Sequence, residues 1–130
     1  MTKFAAIHAD TVAFVPRSLP GGGLDPQEFS AQAFDAKIAV LDDAARCRGD
    51  HSPERAILAF EIHRNADEIP ENSWAPREVI ADGPYCLVGD TPRVIDAIVE
   101  RRERWGLSHW TCWEEDLETF VPIIDALAGT

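Results

Sequence analysis

The chain has 130 residues, a formal net charge of −11 at neutral pH, 45% hydrophobic residues and 27% charged residues. This balance predicts one folded domain over residues 1–130 rather than a disordered chain. The acidic charge disfavours nucleic acid and anionic membranes as partners, and no apolar run approaches the ~20 residues that cross a bilayer. The three cysteines, Cys47, Cys86 and Cys112, are widely spaced, which favours free thiols in a reducing cytoplasm.

The chain begins with a segment typical of a helix end, followed by an apolar run of strand length at residues 11–16 (TVAFVP). Residues 17–24 then form a loop, since they contain a proline and the three glycines Gly21 to Gly23. A flexible loop, a lid over a pocket and a phosphate-binding turn are the alternatives for this segment. The phosphate alternative lacks the spacing of the known glycine-rich motifs.

A helix start follows at Asp25, where the side chain can cap free backbone N–H groups. Pro26 occupies the first helical position, and Glu28 completes a capping box. Gly49 is a suitable stop. The residues predicted to face the core from this helix recur at helical spacing: Phe34, Ile38, Leu41 and Ala45.

Residues 55–64 (RAILAFEIHR) predict a second strand, and residues 65–82 a polar connection with a short helical turn after Pro76. Side chains alternate between the two faces of a strand. The fully apolar set should meet the helices: Leu58, Phe60 and Ile62. The other set should face away from them: Ile57, Ala59, Glu61 and His63.

The last third predicts a helix from Thr91 to Gly106, a strand over residues 109–114 (HWTCWE) and a closing helix, with a short strand at 85–88 before them. The inward positions predicted for the first helix are Val94, Ile95, Ile98, Val99 and Trp105. Those of the closing helix are Leu117, Phe120, Ile124 and Leu127. Strands alternating with helices favour an α/β fold with a parallel sheet and right-handed crossovers.

Two stretches, VGDTPRVIDAIVERRERWGLSHWTCWE and DLETFVPIIDALAG, together with HADTVAFVP, carry a family resemblance. In this order they resemble the closing β/α units of luciferase-like flavin and deazaflavin-dependent oxidoreductases, which are TIM barrels. The likeness spans roughly residues 5–129. Asp90 departs from the family pattern as an insertion before Thr91, and Arg93 stands where the family has an acid.

The resemblance implies a truncated, partial TIM barrel of about three parallel β/α units, because a whole barrel needs ~250 residues. The inner face of such a sheet would be uncovered, with two free edges. We therefore expect oligomerisation to cover it, most simply as a homodimer. The alternative is a heteropartner that supplies the missing strands.

Glu61 and His63 are the candidate catalytic residues, because a carboxylate beside an imidazole can orient it as a general base. A solvated charge pair is the plainer interpretation. Trp113 is expected inside, near this pair. The candidate substrate-binding residues are aromatic, with core or interface packing as the alternative: Trp113, Trp74 and Tyr85.

Three functions stay open at this point. One is a small oligomeric enzyme that performs acid/base chemistry, such as cyclisation, isomerisation or dehydration, on an apolar small metabolite. The second is one subunit of a split flavin- or deazaflavin-dependent oxidoreductase, and the third is a non-catalytic binding domain. The family's cofactor-binding segments have no counterpart here, so we assign no cofactor-binding residue, and no third ligand accompanies Glu61 and His63 to make a metal site.

Overall fold

The computed structural model describes residues 2–49 and 51–130, and this part of the chain has a mixed α/β fold with small parallel sheets. The helices are α1 (Thr2–His8), α2 (Ala31–Ala45), α3 (Arg77–Asp82), α4 (Thr91–Trp105) and α5 (Leu117–Leu127). The strands are β1 (Thr11–Phe14), β2 (Glu54–Leu58), β3 (Glu61–His63), β4 (Cys86–Val88) and β5 (Leu107–Thr111). None of the described helices is long and apolar enough to cross a membrane.

The strands form two parallel sheets, one in the order β1-β2-β5 and the other a β3-β4 pair. The prediction of a single strand over residues 55–64 is therefore wrong. The backbone N–H of Ala59 donates to Thr111 O at 2.9 Å, whereas that of Phe60 donates to Tyr85 O at 2.8 Å. The chain thus exchanges one neighbouring strand for another within two residues, and this break separates β2 from β3.

The break also corrects the predicted faces of this segment. Ile57 and Ala59 lie in the hydrophobic core, each 1% exposed, and not on the face away from the helices. Leu58 is only half-buried. In β3 the prediction agrees better with the structure, because Ile62 packs against the cluster beneath α4 and α5. Apolar side chains occur on both faces of RAILAFEIHR, so the sequence pattern did not determine which face is inward.

The helix α2 begins later than predicted. Asp25 accepts a hydrogen bond from Gln27 N at 3.0 Å, but it caps only a short 3₁₀ turn over Pro26–Phe29. The side chain of Ser30 caps α2 itself by accepting from Ala33 N. Glu28 does not complete a capping box, since its carboxylate accepts from Arg17 N and from Lys37 Nζ, both at 2.8 Å. The predicted core positions of α2 are all buried: Phe34, Ile38, Leu41 and Ala45.

The helix α4 agrees with the prediction at both ends. Asp90, the apparent insertion, is its N-cap and accepts from Arg93 N at 3.2 Å. Gly106 ends the helix in the left-handed region with a φ of 70°, where glycine is favoured. Val94, Ile98 and Trp105 are buried as expected, while Ile95 and Val99 are half-buried.

The bounds of the last strand and the buried face of the last helix also differ from the prediction. The strand β5 starts at Leu107 and ends at Thr111, so residues 112–114 lie beyond it. The closing helix α5 buries Phe120 and Ile123. Leu117 and Ile124 are exposed, because the helix rests on α4 along a narrower stripe than the sequence indicated.

Arg101 fastens α4 to the segment that leads into β4. Its guanidinium is buried and donates to Gly83 O at 2.9 Å and to Pro84 O at 3.1 Å. It also lies 5.7 Å from the centre of the Trp110 ring, within the range of a cation–π contact. Burial lowers the pKa of Arg101 to about 10, so the side chain still carries its charge at neutral pH.

One face of the three-stranded sheet packs on the helices and the other does not. The uncovered side, here called the open sheet face, comprises Val15 and Trp113, which follow β1 and β5 by one and two residues, and these residues of the strands: Thr11, Ala13, Glu54, Ala56, Leu58, His109 and Thr111. Those on the two outer strands are exposed, and Ala56 and Leu58 on the central strand are half-buried. Parallel sheets normally have both faces covered.

Candidate functional site

Glu61 and His63, which the sequence singled out, lie together on β3. They follow each other by two positions and therefore project from the same face of the strand. Glu61 Oε2 is 3.0 Å from His63 Nε2. Both side chains are largely shielded, with 16% of Glu61 and 20% of His63 exposed, so the contact is not the loose surface pair of the plainer interpretation.

A third side chain holds the carboxylate in place. Ser73 Oγ donates to Glu61 Oε1 at 2.7 Å, and Ser73 belongs to the connection between β3 and α3. Glu61 thus uses one oxygen for the serine and the other for the histidine. Ser73 was not predictable from the sequence, since a single serine in a polar connection carries no signal of its own.

The Glu61 carboxylate determines which ring nitrogen of a neutral His63 carries the proton. An ionised carboxylate accepts hydrogen bonds and cannot donate them, so Nε2 of a neutral His63 carries the proton. Nδ1 then has a free lone pair, and it has no hydrogen-bond partner among residues 2–49 and 51–130. A carboxylate that fixes the tautomer of a histidine in this way is the usual arrangement of a general base.

His63 also lines a groove with a volume of 970 Å³, open to solvent at the carboxyl ends of β3 and β4. Ligands of α/β proteins commonly bind at this end of parallel strands. The groove walls come from three segments, namely the end of β3, the start of α4 and the start of α5. Its charged lining residues are Arg64, Glu68, Asp90, Arg93, Asp116 and Glu118.

The groove is more polar than expected for the apolar small metabolite that the sequence suggested. Its apolar lining is confined to Ile62, Val94, Pro122 and Ile123, which are part of, or adjacent to, the core beneath α4 and α5. Arginines and carboxylates face the same space. This lining suits a small polar molecule with hydrogen-bonding groups better than a hydrocarbon.

Cys86 neighbours the Glu61–His63 pair, because β3 and β4 run in parallel register with Glu61 opposite Cys86. Burial raises the pKa of the Cys86 thiol to about 12, with a further contribution from the negative charge of Glu61. The thiol is therefore protonated at neutral pH and is a poor nucleophile. Glu61 and His63 therefore remain the candidate acid/base groups at this position.

The three aromatic candidates occupy different environments. Tyr85 is 1% exposed, and edge contacts with Phe29, Phe34 and Phe60 surround it in the core. Its hydroxyl is buried without a hydrogen-bond partner in the described part of the chain, and burial raises its pKa. The expected place of Tyr85 on a ligand-accessible wall is thus wrong, because its ring is needed inside the core.

The two tryptophans lie at the surface. Trp113 is 45% exposed rather than inside, and its Nε1 donates to Phe60 O at 3.2 Å. Trp74 is 43% exposed and stacks on Phe29 with the rings 6.5 Å apart. Neither lines the groove. Their binding of a ligand stays a prediction.

The glycine-rich loop does not reach the groove. A bridge between Ser18 and Leu24 closes it, and Leu19 N donates to Gly23 O at 2.9 Å. Gly22 and Gly23 both have positive φ, as a tight reversal of the chain requires. The loop is therefore a compact hairpin next to α2 rather than a cover for the site.

Metal ligands are not clustered within residues 2–49 and 51–130, where no group of three or more histidine, cysteine, aspartate or glutamate side chains could hold an ion. The site consists of an oriented histidine at the wall of a polar groove. Models of protein families, curated proteins and solved structures, when compared with the chain, give no match. The function is therefore inferred from the geometry of the site.

Proposed function

We propose that the protein is a small enzyme that performs general acid/base chemistry on a small polar metabolite, with His63 as the base and Glu61 as the residue that orients it. The observation that carries this proposal is the contact of 3.0 Å between Glu61 Oε2 and Nε2 of His63, the member of the pair that lines the groove. A positioned general base contributes about 10²- to 10⁴-fold to a rate. No cofactor is assigned to this chain alone.

The proposed step is a proton transfer. Nδ1 of His63 takes a proton from a substrate in the groove, and the imidazolium that forms is stabilised by the adjacent Glu61 carboxylate. The same proton can return to another atom of the substrate. Isomerisation, dehydration and cyclisation all use such a sequence, and none of them needs a redox cofactor.

The arginines and carboxylates of the groove would bind the polar groups of the substrate. Arg64 lies directly after His63 in sequence, and Arg93 lies in the first turn of α4; both line the groove. Neither guanidinium forms an ion pair with another described residue. They are thus available to bind a carboxylate or a phosphate, while Asp116 and Glu118 favour an amine or hydroxyl group.

The descent of the chain from a luciferase-like barrel is part of the proposal. Its support is the parallel order β1-β2-β5 with helices on one face only, together with the motifs around α4 and α5. In this interpretation the chain is a partial TIM barrel that has lost the strands that bind flavin or deazaflavin in the family. The site proposed here lies on β3 and β4, outside the three-stranded sheet.

A second candidate is one subunit of a split flavin- or deazaflavin-dependent oxidoreductase. The specific observation in its favour is the open sheet face, with β1 and β5 as outer strands, onto which a partner chain could add strands. An absorbance spectrum of the native assembly distinguishes the two candidates. A flavin or deazaflavin band together with a second polypeptide favours the split enzyme.

The acid/base proposal is tested by incubating the protein with a collection of small polar metabolites in D₂O and measuring deuterium incorporation by mass spectrometry. A general base acting at carbon exchanges a substrate proton with solvent, so a substrate gains mass. The same incubation with His63→Gln serves as the comparison. Incorporation that persists in the variant contradicts the role of His63.

A further inference from the structure

The proposed chemistry leaves the open sheet face unexplained. Its composition changes along the strands. The amino-terminal end carries Thr11, Glu54 and His109, whereas the carboxyl-terminal end carries Val15, Leu58 and Trp113. Val15 is 56% exposed, an unusual position for a β-branched apolar side chain next to a parallel sheet.

The total surface of the chain is larger than that of a compact monomer of its size. The accessible surface is 8030 Å² for a mass of 14.4 kDa. A folded monomer of that mass exposes about 6,800 Å², so the excess is about 1,200 Å². A stable protein–protein interface buries about 800 Å² on each partner, and the excess is therefore large enough for one such interface.

The charge of the open sheet face suits a second copy of the same chain. The chain as a whole has a net charge of −11, which opposes self-association through most of its surface. Glu54 is the single acidic residue among the nine that form the face, and its Oε2 lies 3.6 Å from Nε2 of His109. Two copies that meet through this face therefore each bring only one carboxylate into the interface, with the His109 imidazole beside it.

We propose that two copies associate face to face through the open sheet face, about a two-fold axis that runs along the strands. This axis places β2 opposite β2 of the other copy, so that Leu58 meets its own counterpart and Val15 meets the β5 side of the partner. The apolar ends then cover each other and the polar ends form the rim. Ala13 and Ala56 are small enough to let the sheets approach to the usual ~10 Å.

This inference is independent of the acid/base chemistry, since Glu61, His63 and Ser73 lie outside the face. The dimer could exist without the activity, and the activity without the dimer. The test therefore measures mass and not turnover, so that failure of one proposal is distinguishable from failure of the other.

The experiment is size-exclusion chromatography with light scattering at micromolar concentration. The wild-type chain should have twice the 14.4 kDa mass of one copy. Ala13→Glu, which places a charge on the open sheet face halfway along the outer strand β1, should halve that mass, and Val15→Glu should do the same if Ala13→Glu fails to fold. Ala126→Glu is the matched control, because Ala126 is an exposed alanine on α5, and it should keep the dimer.

Three results would overturn the proposal. One is a wild-type mass of a single copy. The second is a dimer that survives both Ala13→Glu and Val15→Glu, since the interface would then lie elsewhere. The third is a mass that falls equally in Ala126→Glu, because the loss would then not be specific to the face.

Discussion

The carboxylate of Glu61 bridges His63 and Ser73, with one oxygen 3.0 Å from the imidazole Nε2 and the other 2.7 Å from the serine hydroxyl. The serine lies in a connection that folds over β3, so the orientation of the imidazole depends on a residue ten positions away in sequence. The contact thus joins the strand β3 to the loop that precedes α3.

We predict that Ser73→Ala and Glu61→Gln are energetically coupled. A hydrogen bond to a charged group contributes about 1.5–3 kcal/mol, so the coupling free energy of the two changes should be about 1 kcal/mol or more in a double-mutant cycle. Urea unfolding of the two single variants and the double variant measures it. The pair Ser73→Ala and Glu71→Gln is the control and should be additive, because Glu71 is exposed and forms no hydrogen bond with Ser73.

Gly83→Ala should destabilise the protein severely. A Cβ at this position would lie 2.0 Å from Phe29 O and 3.0 Å from Val79 O, and backbone atoms cannot turn aside as a flexible side chain can. We expect a loss of about 3 kcal/mol in the free energy of unfolding, seen as a lower midpoint in urea. Gly21→Ala is the control: nothing lies within 4 Å of its Cβ, so its effect should stay within about 0.5 kcal/mol. Equal midpoints for the two variants would contradict the close packing of Gly83 against the backbone of Phe29.

Arg101→Met should also reduce stability, since it leaves the buried carbonyl oxygens of Gly83 and Pro84 without their donor. Each unsatisfied group costs about 1–3 kcal/mol, so we expect a total of about 3 kcal/mol. Arg93→Met is the comparison on the same helix, because Arg93 is exposed and its loss should change stability by less than about 1 kcal/mol. Thermal unfolding followed by circular dichroism gives both values. A variant of Arg101 as stable as the wild type would contradict its role in fastening α4.

The stability conferred by Glu28 should depend on pH. Burial by itself raises the pKa of this carboxyl, but the hydrogen bonds from Lys37 and from Arg17 N prevail and hold the pKa below its ordinary value of 4.5. A carboxyl with a depressed folded-state pKa stabilises the protein above its unfolded pKa. That contribution is lost as the pH falls from 4.5 through the lower, folded value.

Glu28→Gln should therefore lower the free energy of unfolding by about 1 kcal/mol at neutral pH. The difference from the wild type should shrink as the medium becomes more acidic than the folded-state pKa. Urea unfolding across an acidic pH series is the measurement. Glu78→Gln, at an exposed position on α3, should follow the wild type throughout, and a pH-independent difference for Glu28→Gln would oppose this assignment.

Local signals predicted much of the fold. Proline at the second position of α4 and Gly106 at its end bounded that helix closely, because caps are determined by residues only a few positions apart. The core positions of α2 followed from helical spacing in the same way. The proximity of Glu61 to His63 was likewise predictable, because the two residues lie two positions apart on one strand.

Features that depend on distant partners were not predictable. The division of residues 54–63 into β2 and β3 depends on hydrogen bonds to Thr111 and Tyr85, far along the chain. The sequence suggested Tyr85 as a binding residue. It is instead a core residue, because three phenylalanines from separate segments surround it. The groove was not predictable for the same reason, since its walls come together only when three segments of the chain have folded.

One signal at the groove was visible in the sequence. Gly89 and Asp90 lie between an apolar strand and the first turn of α4, and Asp90 looked like an insertion relative to the pattern of the luciferase-like family. Its carboxylate caps α4 at the edge of the groove. A residue that the sequence singled out as unusual thus lies at the candidate site.

The most direct test of the account is the value of kcat/KM for His63→Gln and His109→Gln on a substrate found by deuterium exchange. Both histidines lie beside a glutamate, but His109 is on the open sheet face, at 3.6 Å from Glu54, and outside the groove. The account predicts a loss of at least about 100-fold for His63→Gln and a value close to wild type for His109→Gln, with both proteins folded. Equal activity of the two variants would contradict it.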